Sequence, residues 1–318
     1  MTSIISIGVG AGVASAVLAL VLSTGSLLAL VLFFLAPLPI AIAALGWNHK
    51  AGLVGALVAS ILLAFIVHPR MGLVLGLSTF APAWLFSFLA LLARPAPPPS
   101  QGEEWYPTGR VLAWVAGVVA VITVAGIASI SMDYAAYARA FQPAIELLER
   151  INPEFFSSIP LEQRADARAD LARMAAAIAP PISAAVSVLI TSALLVLAGR
   201  LVFASGRLPR PWPHLPGVVL PKALLPILAA SFAGSFMDGF AGLVIRTLFA
   251  ALAAAYALQG LAVIHALTAG RFGRGIMLAL TYMLAIAGWP LALIALTGVA
   301  DALLNIRARR GLTPLQGT

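Results

Sequence analysis

A chain of 318 residues that is 62% hydrophobic and only 9% charged, with a mean hydropathy of +1.04, cannot bury all its apolar surface in one aqueous domain. Soluble domains carry roughly 25% charged residues, so part of this chain must use lipid as solvent, with its backbone satisfied inside helices or a closed barrel. The net charge of +8 is mostly arginine at the edges of apolar runs and in the closing "NIRARRG", a pattern that sets membrane orientation; no basic helix with interleaved aromatics suggests nucleic acid.

In chain order, nine apolar runs stand out: 4–22, 26–45, 51–67, 72–92, 110–131, 182–203, 218–236, 241–266 and 275–296. Each has the length of a membrane-crossing helix, is rich in Ala and Leu, and lacks the period-two alternation of a barrel strand. The first run has no positive flank of the signal-peptide kind and is read as a retained helix. Turn signals separate the runs: Ser23-Thr24-Gly25, "GWNHK" at 46–50, "HPRMG" at 68–72 and "AGRFGRG" at 269–275. "GVGAG" (8–12) and "GLVLG" (72–76) place glycines four apart, a spacing that lets membrane helices approach closely. "RPAPPPSQGEEWYPTG" (94–109) is a stiff Pro-rich connector ending in Trp105 and Tyr106, residues suited to the headgroup zone.

Residues 132–179 interrupt the apolar pattern. "PAIELLERI" opens with Pro143 in a first-turn position. Farther on, Glu162, Asp166 and Asp170 form one helical stripe, with Arg164 and Arg168 on another. This amphipathic helical insertion divides the chain into N-terminal transmembrane helices (1–131), the insertion (132–179), and C-terminal transmembrane helices with a basic tail (180–318). It reads as a solvated surface element, or as a lid or docking surface.

With nine spans and a cytoplasmic N-terminus, Lys50, Arg94, Arg110, Arg200, Arg207, Arg210, Lys222, Arg271 and Arg274 fall inside. Arg70 and the trio Arg307, Arg309 and Arg310 then fall outside. Eight spans relieve that conflict if a segment broken near Pro37/Pro39 or Pro221/Pro226 does not cross fully. Both counts stand at this point.

Arg246 lies inside the run 241–266. On a helical wheel Gly239, Gly242, Ala250, Ala253, Ala257 and Gly260 fall within roughly 40° of it, so it sits on the small-residue face and points toward protein or a cavity. There it reaches headgroups or makes a structural hydrogen bond, binds an anionic group, or pairs with a buried acid. Asp238 reads as the N-cap of the same helix. Gln259 and Tyr256 are the other candidates for a polar lining. The four histidines, His49, His68, His214 and His265, have no metal-ligand spacing. Cysteine is absent, which removes disulfides, thiol catalysis and thiolate metal sites. No phosphate-cradling Gly-Lys loop and no nucleophile–base or acid pair stands out, although His265 and Asp301 are the residues an intramembrane enzyme would use. The chain is therefore read as non-enzymatic and without a cofactor.

"LAPLPIAIAALG" (35–46), "YALQGLAVIHAL" (256–267) and "ADALLNIRAR" (300–309), together with the insertion and the basic linker "GRLPRPWPHLPGVVLPKALLP", resemble the YybS-like family of bacterial membrane proteins. That family is distantly similar to the substrate-capture (S) components of energy-coupling-factor vitamin transporters, small helical bundles that work with separate ATPase and coupling subunits. The resemblance implies a binding or transport role and carries over no ligand residue. The expectation is an all-α polytopic transmembrane helix bundle with eight or nine spans and one amphipathic helical insertion, in the bacterial cytoplasmic (inner) membrane. It would bind or transport a small molecule between its helices, with Arg246 orienting an anionic group beside Gln259 and Tyr256. The alternative is a non-transporting scaffold that organises other envelope proteins.

Overall fold

The computed structural model describes residues 2–97 and 102–312. Among them the only strands are a short antiparallel pair, and the rest is helix and turn, so the described chain is all-α, as apolar runs without period-two alternation predict.

Six helices make the N-terminal part: α1 (Thr2–Leu20), α2 (Leu27–Phe34), α3 (Leu38–Gly46), α4 (His49–Ile66), α5 (Pro69–Leu75) and α6 (Ala81–Ala90). The turn signals act as caps. Asn48 Oδ1 accepts from the Lys50 N–H at 3.0 Å to start α4, and His68 Nδ1 accepts from the Arg70 N–H at 3.2 Å to start α5. Both Gly-x-x-x-Gly motifs close onto α4. A Cβ on Gly12 would lie 2.6 Å from the Gly55 carbonyl oxygen, and one on Gly72 would collide with the Ser60 carbonyl. Only glycine admits that approach.

Proline then breaks the regular hydrogen bonding. Pro37 sits at the junction of α2 and α3. Pro82 has no N–H to return to the Ser78 carbonyl, and the preceding turn widens into a π-helix, Gly76–Phe80. The connector that follows pairs β1 (Ala93–Pro95) with β2 (Glu103–Trp105); its residues 98–101 lie outside the described chain.

Beyond it run α7 (Thr108–Ile130), α8 (Tyr134–Arg139), α9 (Gln142–Ile151), α10 (Pro153–Ser157) and α11 (Arg164–Ala204). The insertion is helical throughout and folds back on the start of α11. Ile145, Phe156 and Ala172 form a small core, Arg168 Nη2 meets Glu149 Oε1 at 2.7 Å, and Asp170 pairs with Arg173. Glu162 precedes α11 on a 3₁₀ turn. The helix then continues for 41 residues through Pro180 and Pro181, across the point where the insertion gives way to apolar sequence.

The C-terminal part holds α12 (Leu224–Gly234), α13 (Gly239–Leu267), α14 (Arg274–Ile286), α15 (Leu291–Leu304) and α16 (Ile306–Arg309). By length and composition seven helices among the described residues can cross a membrane, or eight if α14 and α15, bent by 115°, count as one span. The seventh apolar run, 218–236, is reduced to α12. Its 11 residues reach about 16 Å along the axis against a hydrocarbon core of about 30 Å. Pro221 lies just before that helix and Pro226 in its first turn, so it starts late, whereas Leu27–Gly46 keeps spanning length despite Pro37. The main core lies where α7, α11, α13 and α15 meet, around Val115, Ala116, Val188, Ala255 and Ala302.

Candidate functional site

Two features stand apart from ordinary helix packing. The first is a cavity of about 590 Å³ walled by α2, α3, α6, α7 and α11 and by the π-helix, with Leu75 of α5 and Tyr137 of α8 also lining it. Such a volume is within the usual range for small-molecule sites. Ser183, Ser187 and Thr191 line it from α11; a four-residue spacing stacks side chains on one helix face, so they form a hydroxyl stripe. Ser78 and Thr79 line it from the π-helix and Thr123 from α7, where its Oγ1 donates to the Val119 carbonyl at 2.9 Å and keeps its lone pairs free to accept. Pro37, Pro82 and Pro180 all border it, so three interruptions of helical bonding surround one cavity.

The second feature is a buried polar node. Asn305 adopts a left-handed conformation (φ 51°) at the end of α15 and turns the chain so that Arg307 folds back on Asp301. The Arg307 backbone N–H donates to Asp301 Oδ1 at 3.0 Å, and its Nε and Nη2 donate to Oδ2 at 3.1 and 2.6 Å. Nη1 reaches the Pro216 carbonyl at 2.6 Å and Nη2 the Val218 carbonyl at 2.9 Å. Arg307 is 1% exposed and Asp301 4%. Gln259 completes the set: its Oε1 accepts from the Leu220 N–H at 2.8 Å, while Nε2 donates to the Gly298 carbonyl at 3.1 Å and Asp301 Oδ2 at 3.2 Å. The close crossing of α13 and α15 next to it needs glycine, because a Cβ on Gly298 would strike the Tyr256 carbonyl. One charge pair thus ties α13, α15 and the 215–220 linker together.

The residues singled out from sequence do not converge on the cavity. Arg246 donates from Nε to the Gly242 carbonyl and from Nη2 to the Met237 carbonyl, both at 3.2 Å, and so closes the first turns of its own helix. Asp238 holds the N-cap position in extended conformation without a side-chain bond to that helix. Gln259 belongs to the node. Tyr256 is fully buried in the main core, and its hydroxyl has no hydrogen-bond partner among the described residues. His265 Nε2 lies 2.9 Å from the Tyr282 hydroxyl of α14. Arg307, counted above as a free topological charge, is neutralised by Asp301, and its bonds to 216 and 218 place the basic tail beside the linker. The hydroxyl stripe is absent from that first selection, although its spacing is visible in "SAAVSVLIT".

A third group marks the linker side. The guanidinium of Arg200 lies 4.8 Å from the Trp212 ring centre, that of Arg207 4.7 Å from Trp47, and that of Arg210 5.7 Å from Trp105. Arg210 Nη1 also donates to the Ala90 carbonyl at 2.7 Å, and burial lowers the pKa of its guanidinium. Arginine over tryptophan is an arrangement suited to the headgroup layer.

Residues 13–302 match the model of a family described as predicted membrane protein (DUF2232). No curated protein and no solved structure matches the chain.

Proposed function

The chain belongs to the DUF2232 family of predicted membrane proteins, and on that premise we propose that it binds or transports a small molecule in the cavity bordered by α7 and α11. The observation that carries this reading is the gathering of Pro37, Pro82 and Pro180 around one hydroxyl-lined space. Irregular backbone at membrane depth is tolerated where protein buries it or where it lines a cavity. Interrupted helices also build the binding sites of many transporters. The resemblance to YybS-like proteins and S components supports the same reading in a bacterial cytoplasmic membrane. Having no phosphate loop, the chain would draw energy for transport from separate ATPase and coupling subunits.

Native mass spectrometry of the full chain, wild type beside Ser187→Trp and Arg246→Ala, tests the proposal. The expected result is a discrete small molecule on the wild type and on Arg246→Ala, absent from folded Ser187→Trp. Retention in Ser187→Trp with loss in Arg246→Ala would move the ligand to α13 and to an anionic group held by Arg246. The scaffold reading has its own observation: Leu147 and Ile151 of α9 are exposed outside the long apolar helices. An empty wild type that copurifies with stoichiometric envelope proteins would favour it.

A further inference from the structure

We infer that the cavity takes an uncharged, elongated amphiphile, mostly apolar but carrying hydroxyl, carbonyl or ether groups along its length; this deepens the cavity reading above and rests on it. The wall decides the charge. Among the described residues that line it there is no Asp, Glu, Lys, Arg or His, and those with polar side chains are Ser78, Thr79, Thr123, Tyr137, Ser183, Ser187 and Thr191. Hydroxyls both donate and accept, so they satisfy neutral oxygen and nitrogen groups. They cannot neutralise an ion. A charge held inside a membrane without a counter-charge is disfavoured roughly a hundredfold or more.

The shape follows from the register. The lining on α11 runs from Ala179 to Leu195, about 24 Å of helix axis at 1.5 Å per residue. A volume of about 590 Å³ drawn out along that length is a slot rather than a round chamber. The hydroxyls of Ser183, Ser187 and Thr191 recur about every 6 Å along it, so the polar contacts are spread along the ligand rather than gathered at one end. Phe33, Phe34, Phe86, Ile122 and Ile190 supply the apolar surface between them.

The test uses the full chain, delipidated in a bulky sterol-based detergent, and two probes with the same 10-hydroxydecanoyl chain, which places oxygen at both ends of the molecule: the neutral 1-monoglyceride and the anionic 10-hydroxydecanoate. Native mass spectrometry reads stoichiometry and relative affinity. One equivalent of the monoglyceride is expected to bind, with the hydroxydecanoate at least about tenfold weaker. Substituting Ser183→Ala, Ser187→Ala and Thr191→Val together should weaken the monoglyceride about tenfold or more, since each hydrogen bond is worth roughly threefold to tenfold. Hydroxydecanoate binding as well as the monoglyceride, and displaced by Ser187→Trp, would overturn the neutral class while leaving the cavity in use. Binding that Ser187→Trp does not touch would overturn the cavity reading itself. A wild type that binds neither probe would refute the neutral amphiphile, as would one occupied by a bilayer phospholipid that the monoglyceride does not displace.

Discussion

Replacing Asp301 with Ala strands a guanidinium that is 1% exposed. Arg307 would lose its bonds from the backbone N–H, Nε and Nη2, keeping only the Pro216 and Val218 carbonyls, and Gln259 Nε2 would lose one of two acceptors. Removing one partner of a buried pair costs about 3–5 kcal/mol, or roughly two to nearly four orders of magnitude in the folding equilibrium. Asp301→Leu with Arg307→Met removes the stranded charge as well. It leaves the two linker carbonyls without their donor, and an under-paired buried group costs about 1–3 kcal/mol. The double variant is therefore expected to lose less than its two single variants together, with a coupling of at least about 1 kcal/mol between the positions. Unfolding of the detergent-solubilised chain by graded SDS, followed by tryptophan fluorescence and far-UV circular dichroism, gives the numbers. A loss below about 1 kcal/mol for Asp301→Ala, with no coupling, would show that water reaches the pair and that the node does not hold the linker.

Gly12→Leu should separate α1 from α4 and lower the SDS midpoint by an amount equivalent to about 3 kcal/mol or more, the upper end of overpacking costs. Gly10→Leu is the control: no described residue lies within 4 Å of its added Cβ, so its change is expected within about 0.5 kcal/mol. The chain has no cysteine, which makes single-cysteine labelling of intact cells clean. Ser205→Cys and Leu312→Cys are expected to label from the same side, since Arg307 fastens the tail to the linker, and Ser157→Cys from the opposite side; labelling of 205 and 312 from different sides would contradict the node. Trp47→Ala removes the ring beneath Arg207 and should cost about 0.5–1 kcal/mol, read as a matching fall in SDS midpoint that Arg207→Ala does not add to.

Much of the scaffold is visible in residue order because its causes are local. Asn48 and His68 cap helices from within the turn signals that announce them, and Gly8–Gly12 and Gly72–Gly76 make the close contacts that their spacing implies. Composition overstates 218–236, since it counts apolar residues without weighing Pro221 and Pro226, which shorten the helix. At Pro180–Pro181 the opposite holds: a pair that usually ends a helix lies inside one that continues to Ala204. The node is illegible for a different reason. Gln259 lies 42 positions from Asp301, and Arg307 lies 91 from Pro216, so no local pattern links them. Arg246 was half legible: the wheel places it on the glycine face, and one of its two acceptors is the carbonyl of Gly242 on that face.

The length of α11 has a mechanical consequence. One continuous helix carries the ion-paired insertion at its start and the Ser183–Thr191 wall farther along, and Pro180 stands between them without ending the helix. Treated as a rigid rod pivoting there, a tilt of about 10° would carry Arg164 sideways by about 4 Å and Thr191 the other way by about 3 Å. Displacements of that size exceed the slack of a hydrogen bond. Moving as such a rod, α11 would link its two ends: a partner gripping the insertion would shift the wall of the slot, and an occupant of the slot would shift the insertion.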